Sequence, residues 1–159
     1  MAYDPEIHHR RSIRLQNYDY SQAGAYYLTF CVANRLPHLG KITNNRLETS
    51  EIGLIVQSHW LVLEQHHPLT LDAFVMMPNH VHGIVVLQAT HEGRGLAHVV
   101  QQFKAFSTKA INRAQQTRGP FWQRNYYEHI IRDDGDLERI RQYIAENPLR
   151  WSEDAEYIS

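Results

Sequence analysis

Residues 71–87 read LDAFVMMPNHVHGIVVL. Two apolar runs rich in β-branched residues flank the break Pro78-Asn79, and proline in that position ends one strand before the next begins. The pattern predicts strands over 71–77 and 80–87, paired antiparallel through the short turn. On the second strand His80 and His82 are two apart, so their imidazoles project from one face of the sheet while Val81 points to the other.

Working outward, residues 26–33 (YYLTFCVA) are aromatic and β-branched and suit a central strand, which the proline and glycine of 34–40 end. Ile52, Ile55, Val56, His59, Trp60 and Leu63 recur at steps of three and four, an apolar stripe on a helix stopped by Pro68. Residues 99–114 repeat the pattern with Val99, Phe103, Phe106 and Ile111. Residues 121–132 (FWQRNYYEHIIR) become strand-like toward their end. Asp133 and Asp134 can then cap a last helix whose buried stripe is Leu137, Ile140 and Ile144 and which Pro148 stops. Strands and helices in this order predict an α+β domain of ferredoxin-like type, with helices packed on an antiparallel sheet. The expected divisions are an N-terminal basic and aromatic arm over 1–22, the domain over 23–152 and a tail over 153–159.

With 159 residues the chain suffices for one domain with a sizeable core. No apolar run approaches the roughly 18 residues of a membrane span, and the opening residues lack the apolar core of a secretory signal. The single cysteine, Cys31, excludes an internal disulfide framework, so a reducing, cytoplasmic setting is expected. The net charge of -1 conceals a division. Residues 93–127 hold six basic side chains (Arg94, Lys104, Lys109, Arg113, Arg118, Arg124) and no acidic one. Such a stretch can follow a phosphate backbone or simply be a solvated helix face.

Tyr143 and Asn147 are four apart on the last helix and share a face away from its apolar stripe. Brought to the paired imidazoles, they would add a phenol and an amide oxygen. Spacing alone favours two partly buried strand histidines and an ordinary amphipathic-helix tyrosine, and by itself does not make a site.

Four segments carry a resemblance over most of the chain: RSIRL at 11–15 with YDYS at 18–21, VMMPNHVHG at 75–83, WQRNYYEHIIR at 122–132 and YIAENP at 143–148. Together they resemble the REP-associated tyrosine transposases, a branch of the single-tyrosine HUH transposases named for histidine, hydrophobic residue, histidine. The resemblance implies a ferredoxin-like fold and cleavage and rejoining of single-stranded DNA, with REP-like hairpins as substrate. It implies Tyr143 as the nucleophile of a 5′-phosphotyrosine intermediate, and a divalent metal, Mg²⁺ or Mn²⁺, held by His80 and His82. The polar residue one turn after the tyrosine, Asn147, would complete the metal site, with Glu146 as its competitor. Tyr127 is the competing nucleophile.

For DNA contacts the expected residues are Arg10, Arg11 and Arg14 in the arm, with Lys104, Lys109, Arg113, Trp122 and Arg124 in the acid-free stretch. The partner would be a single-stranded DNA hairpin in a bacterial cytoplasm. Relatives act as monomers or homodimers, and the reading leans to a monomer. Two alternatives compete: a single-stranded nucleic-acid-binding protein that has lost activity, and a metal-dependent phosphohydrolase of the histidine-triad kind. Ile84 stands where that triad needs its third histidine.

Overall fold

A computed structural model describes residues 23–88 and 95–154; Arg10, Arg11, Arg14 and Arg94 lie outside the described residues. Its centre is strand β1 (Gly24–Cys31). Strands β4 (Leu69–Met77) and β5 (His80–Leu87) form the expected hairpin, and β6 (Tyr127–Ile131) closes the other edge, giving the order β4-β5-β1-β6 with every neighbour antiparallel. A small hairpin, β2 (Gly40–Thr43) and β3 (Arg46–Thr49), stands apart. It turns on Asn44-Asn45, both at positive φ, the conformation that a two-residue hairpin loop requires.

Helix α1 (Glu51–Leu61) follows the hairpin, capped by Ser50, whose hydroxyl accepts from the Gly53 amide at 3.0 Å. A short turn, α2 (Leu63–His66), leads into β4. Helix α3 (Leu96–Gln115) separates β5 from β6, and α4 (Asp134–Glu146) follows β6. The β1-α1-β4 and β5-α3-β6 units, laid side by side in this strand order, are the α+β ferredoxin-like arrangement.

Alternation along the strands divides the interior in two. Tyr26, Leu28 and Phe30 of β1 and Val81 and Val85 of β5 face α1 and α3, where Trp60 and Phe103 join them. The neighbouring residues, Tyr27 and Ile84, face α4 and pack with Tyr127, Ile140 and Ile144. Gly83 is dictated by the first layer: a Cβ there would lie 2.4 Å from a Trp60 ring carbon.

Two expectations need correction. Phe106 was placed in the buried stripe of α3 but is 54% exposed; the stripe runs through Val99, Phe103, Ser107 and Ile111, at steps of four, and Ser107 takes the inward place. Pro148 does not stop the last helix outright. The chain tightens into a 3-10 segment, Asn147–Glu153, with the proline in its first turn, where no amide hydrogen is required.

Candidate metal and nucleophile site

The register of the sheet sets the site. His80 lies opposite Cys31, and His82 opposite Thr29 on one side and Val75 on the other. Both imidazoles are completely covered, and their Nε2 atoms are 3.1 Å apart.

Hydrogen bonds at the far ring nitrogens determine what those Nε2 atoms can do. The Asn79 side-chain nitrogen donates to the Arg35 carbonyl at 3.2 Å, which turns the Asn79 amide oxygen toward His80 Nδ1 at 2.8 Å. That oxygen only accepts, so Nδ1 carries the hydrogen and a neutral His80 presents a lone pair at Nε2. His82 Nδ1 lies 2.8 Å from both the Tyr27 and Thr29 hydroxyls. Either hydroxyl can accept, and the same lone pair at Nε2 is then available. The Asp154 carboxylate oxygen stands 3.3 Å from His80 Nε2, its side chain only 3% exposed. The two imidazole Nε2 atoms and the carboxylate oxygen all lie within 4.8 Å of one another, a donor set of the kind that can hold a metal ion.

Tyr143 comes from α4. Its ring is half-buried against the second core layer, 5.5 Å from the His82 ring and 6.5 Å from that of Tyr27. Burial first, and then the nearby Tyr143, push the Tyr27 phenol well above its usual range, so it stays protonated. Tyr27 and Tyr127 are 1% and 5% exposed. Of the tyrosines around His82, Tyr143 is the one placed for approach from outside.

Asn147 sits at the end of α4 and is buried. Its amide nitrogen donates to the Tyr143 carbonyl at 3.3 Å, while its Oδ1 is buried without a hydrogen-bond partner among the described residues. Such an atom costs free energy unless something positive reaches it. Glu146 is engaged elsewhere, accepting from Gln142 at 3.0 Å and pairing with Arg150 at 3.2 Å. Asp154 was missed by sequence reading. It falls in the stretch taken as a tail and has no spacing relation to the histidines, yet Trp151 lies tilted 6.1 Å from the His80 ring and carries the chain over the site.

The residues expected to touch DNA are scattered. The Lys104 ammonium donates to the carbonyls of Gln123, Arg124 and Asn125 at 2.9, 3.3 and 3.5 Å and lies 5.2 Å from the Tyr126 ring centre. Burial lowers its pKa to about 8. It is a clamp on a loop. Trp122 is 5% exposed and gives its indole N–H to Ser107 at 3.0 Å, so it packs in the core and is not a surface platform for bases. Arg124 is exposed on the clamped loop. Lys109 and Arg113 line a cavity of about 640 Å³ with His59, His66 and His67, in the helical layer across the sheet from His80 and His82. None of the helices is long and apolar enough to cross a membrane, among the described residues.

Known proteins give this arrangement a context. An uncharacterized protein of Haemophilus influenzae is 34% identical and is matched over 98% of this chain and 97% of its own length. A second protein of that species, assigned provisionally to the REP-associated tyrosine transposases, is 28% identical over 86% of this chain and 77% of its own length. The solved structure of a REP-associated tyrosine transposase bound to a REP hairpin shares the fold, with a TM-score of 0.66 at 22% identity, over 87% of this chain and 73% of that one. The model of the IS200-like transposases matches residues 22–147, which takes in the whole sheet, the imidazole pair and the last helix as far as Asn147. On that match the chain belongs to the IS200-like transposase family.

Proposed function

We propose that this transposase cuts and rejoins single-stranded DNA through a 5′-phosphotyrosine on Tyr143, and that hairpins of REP type are its substrates. The observation that carries the reading is the meeting of α4 with β5: a half-buried phenol beside a covered imidazole pair, their rings 5.5 Å apart. In the reaction the phenolic oxygen bonds to phosphorus as the bond from phosphorus to the 3′ oxygen breaks. The phenol's proton is recovered in the released 3′-hydroxyl. Because the phosphodiester linkage is exchanged rather than hydrolysed, attack by a second 3′-hydroxyl reverses the step and joins strands.

The donor set suits a divalent cation, Mg²⁺ or Mn²⁺. The two Nε2 atoms would hold it, with oxygen from Asn147, whose Oδ1 otherwise lacks a partner among the described residues, or from the Asp154 carboxylate. When bound, such an ion offsets charge on a phosphate oxygen. The protein's part is orientation: Asn79, Tyr27 and Thr29 hold the imidazoles so that both Nε2 atoms face one point. Both histidines are fully covered, with Trp151 and Asp154 of the segment after α4 lying against His80.

The test is to incubate the protein with single-stranded hairpin DNA and Mn²⁺ and to look for an SDS-stable adduct. Wild type is expected to form one and Tyr143→Phe none. An adduct that survives Tyr143→Phe, or cleaved product with no protein-linked strand, overturns the reading. Hairpin binding by wild type with neither adduct nor cleavage identifies a non-catalytic binding protein instead.

A further inference from the structure

Around the end of the sheet from the histidines is a second cavity of about 590 Å³, between α3 and residues 120–126. The two lie at the same end of β1, since Cys31 pairs with His80 and the next residue, Val32, bridges to Trp122. They lie on opposite faces of the sheet. The volume is within the roughly 300–1,000 Å³ of small-ligand pockets.

The lining is specific in kind. Ala97, Val100 and Ala105 supply an alkyl floor from α3, and the half-buried Tyr126 supplies a ring, with Phe121 packed in the core behind it. Gln101 and Gln123 place two primary amides at the cavity, Arg124 adds a cation, and no carboxylate lines it among the described residues. A flat heterocycle with polar edges, attached to an anion, complements these groups. Aromatic rings accept a base face, an amide can both donate to and accept from a base edge, and a guanidinium pairs with phosphate.

Lys104 gives the site its shape. Its ammonium is committed to the three successive carbonyls at 123–125, which fixes the backbone that carries Gln123 and Arg124. Lys104 is therefore a positioning residue in this stretch, and Arg124 the cation left to meet phosphate.

We propose that this cavity receives one unpaired nucleobase of the strand being processed, with Gln101 and Gln123 reading the base edge and Arg124 holding its phosphate. The inference rests on the strand-nicking reading above for the identity of its ligand. It makes the α3 and 120–126 junction a determinant of which base is accepted next to the cleavage site.

Two measurements on the full chain test it. In the first, Tyr143→Phe protein is irradiated with random single-stranded DNA in which 5-iodouracil replaces thymine, and the crosslinked peptides are identified. Crosslinks at Tyr126 are expected, and crosslinks confined to peptides outside 97–126 overturn the proposal. In the second, wild type, Gln101→Ala and Gln123→Ala each react with the random pool and Mn²⁺, and the strands retained as SDS-stable adducts are sequenced. Wild type is expected to favour one base at one position by about tenfold or more, and each variant to flatten that preference. Unchanged preferences in variants that unfold at the wild-type temperature overturn it; should a variant fail to fold, the crosslinking decides. If wild type forms no adduct while Tyr143→Phe still crosslinks at Tyr126, the nicking reading fails and the base pocket stands.

Discussion

Strand β5 shows two kinds of interior within four residues. Val81 and Gly83 face α1 and α3, where Trp60 closes so tightly that position 83 has no room for a methyl group. His80 and His82 face α4, where imidazoles, hydroxyls, an amide and a carboxylate gather, and an amide oxygen is buried with no partner among the described residues. One face is specified by volume. The other is specified by donors and acceptors and by their hydrogen bonds. The contrast teaches that close packing and polar pairing occupy opposite faces of the same backbone, so neighbouring substitutions should separate them.

The largest effect on folding is expected from Gly83→Ala. The added methyl would stand 2.4 Å from Trp60, which is itself fully buried under Phe74 and Phe103, so neither side can yield cheaply. A loss of about 2–3 kcal/mol in denaturant unfolding is expected, while any stabilisation by Mn²⁺ persists in the folded fraction. A cost near zero would mean that the first layer is looser than its packing implies. His82→Ala, one residue earlier, should do the reverse. It deprives the Tyr27 and Thr29 hydroxyls of their common partner, costing about 1–2 kcal/mol, and on the proposed metal site it should abolish the rise in unfolding temperature expected of the wild type with Mn²⁺. A variant that keeps that rise would show that the ion binds elsewhere.

These two layers were unequally legible in the sequence. Alternation in 71–87 and the Pro78-Asn79 break are local signals, and they place both strands, the turn and the shared face of His80 and His82. The Asp133 cap was equally local, and its carboxylate accepts from the Asp136 amide at 2.7 Å. What brings Tyr143 to His82 is different: α4 packs on Tyr27, Ile84 and Tyr127, residues remote in sequence, and no spacing reveals it. Family resemblance pointed to that pairing. Asp154 had neither kind of signal. The hairpin β2–β3 was overlooked because its two short strands have few apolar residues, although Asn44-Asn45 marks its turn. Lys104 and Trp122 were read by residue type, as a cation and a ring for DNA. Whether a lysine meets phosphate or its own backbone carbonyls depends on where the next loop runs, which composition does not record.

The smallest of these effects bears on how the polar face is held to the sheet. Helix α4 is clipped in its first turn and at its middle: His129 and Asp136 meet at 2.8 Å, and Arg141 makes two bonds to Asp72, at 2.8 and 2.7 Å. Asp72 occupies the irregularity between Leu71 and Phe74 in β4, and Arg141 is two residues from Tyr143, so this ion pair bears directly on the register of the phenol. The Arg141 guanidinium is the main cause that holds the Asp72 carboxyl below its usual range. A depressed folded-state pKa adds stability above the unfolded value and loses it as pH falls through the folded one. Asp72→Asn should therefore be less stable than wild type at neutral pH, by less than either substitution in β5, because the pair is partly exposed. The gap should close as acid protonates Asp72 in the wild type; Asp136, also depressed, titrates in both proteins and cancels from the difference. A gap that persists unchanged into acid would mean that Asp72 acts through its shape in the β4 irregularity and not through its charge, and that packing alone secures the helix that carries Tyr143.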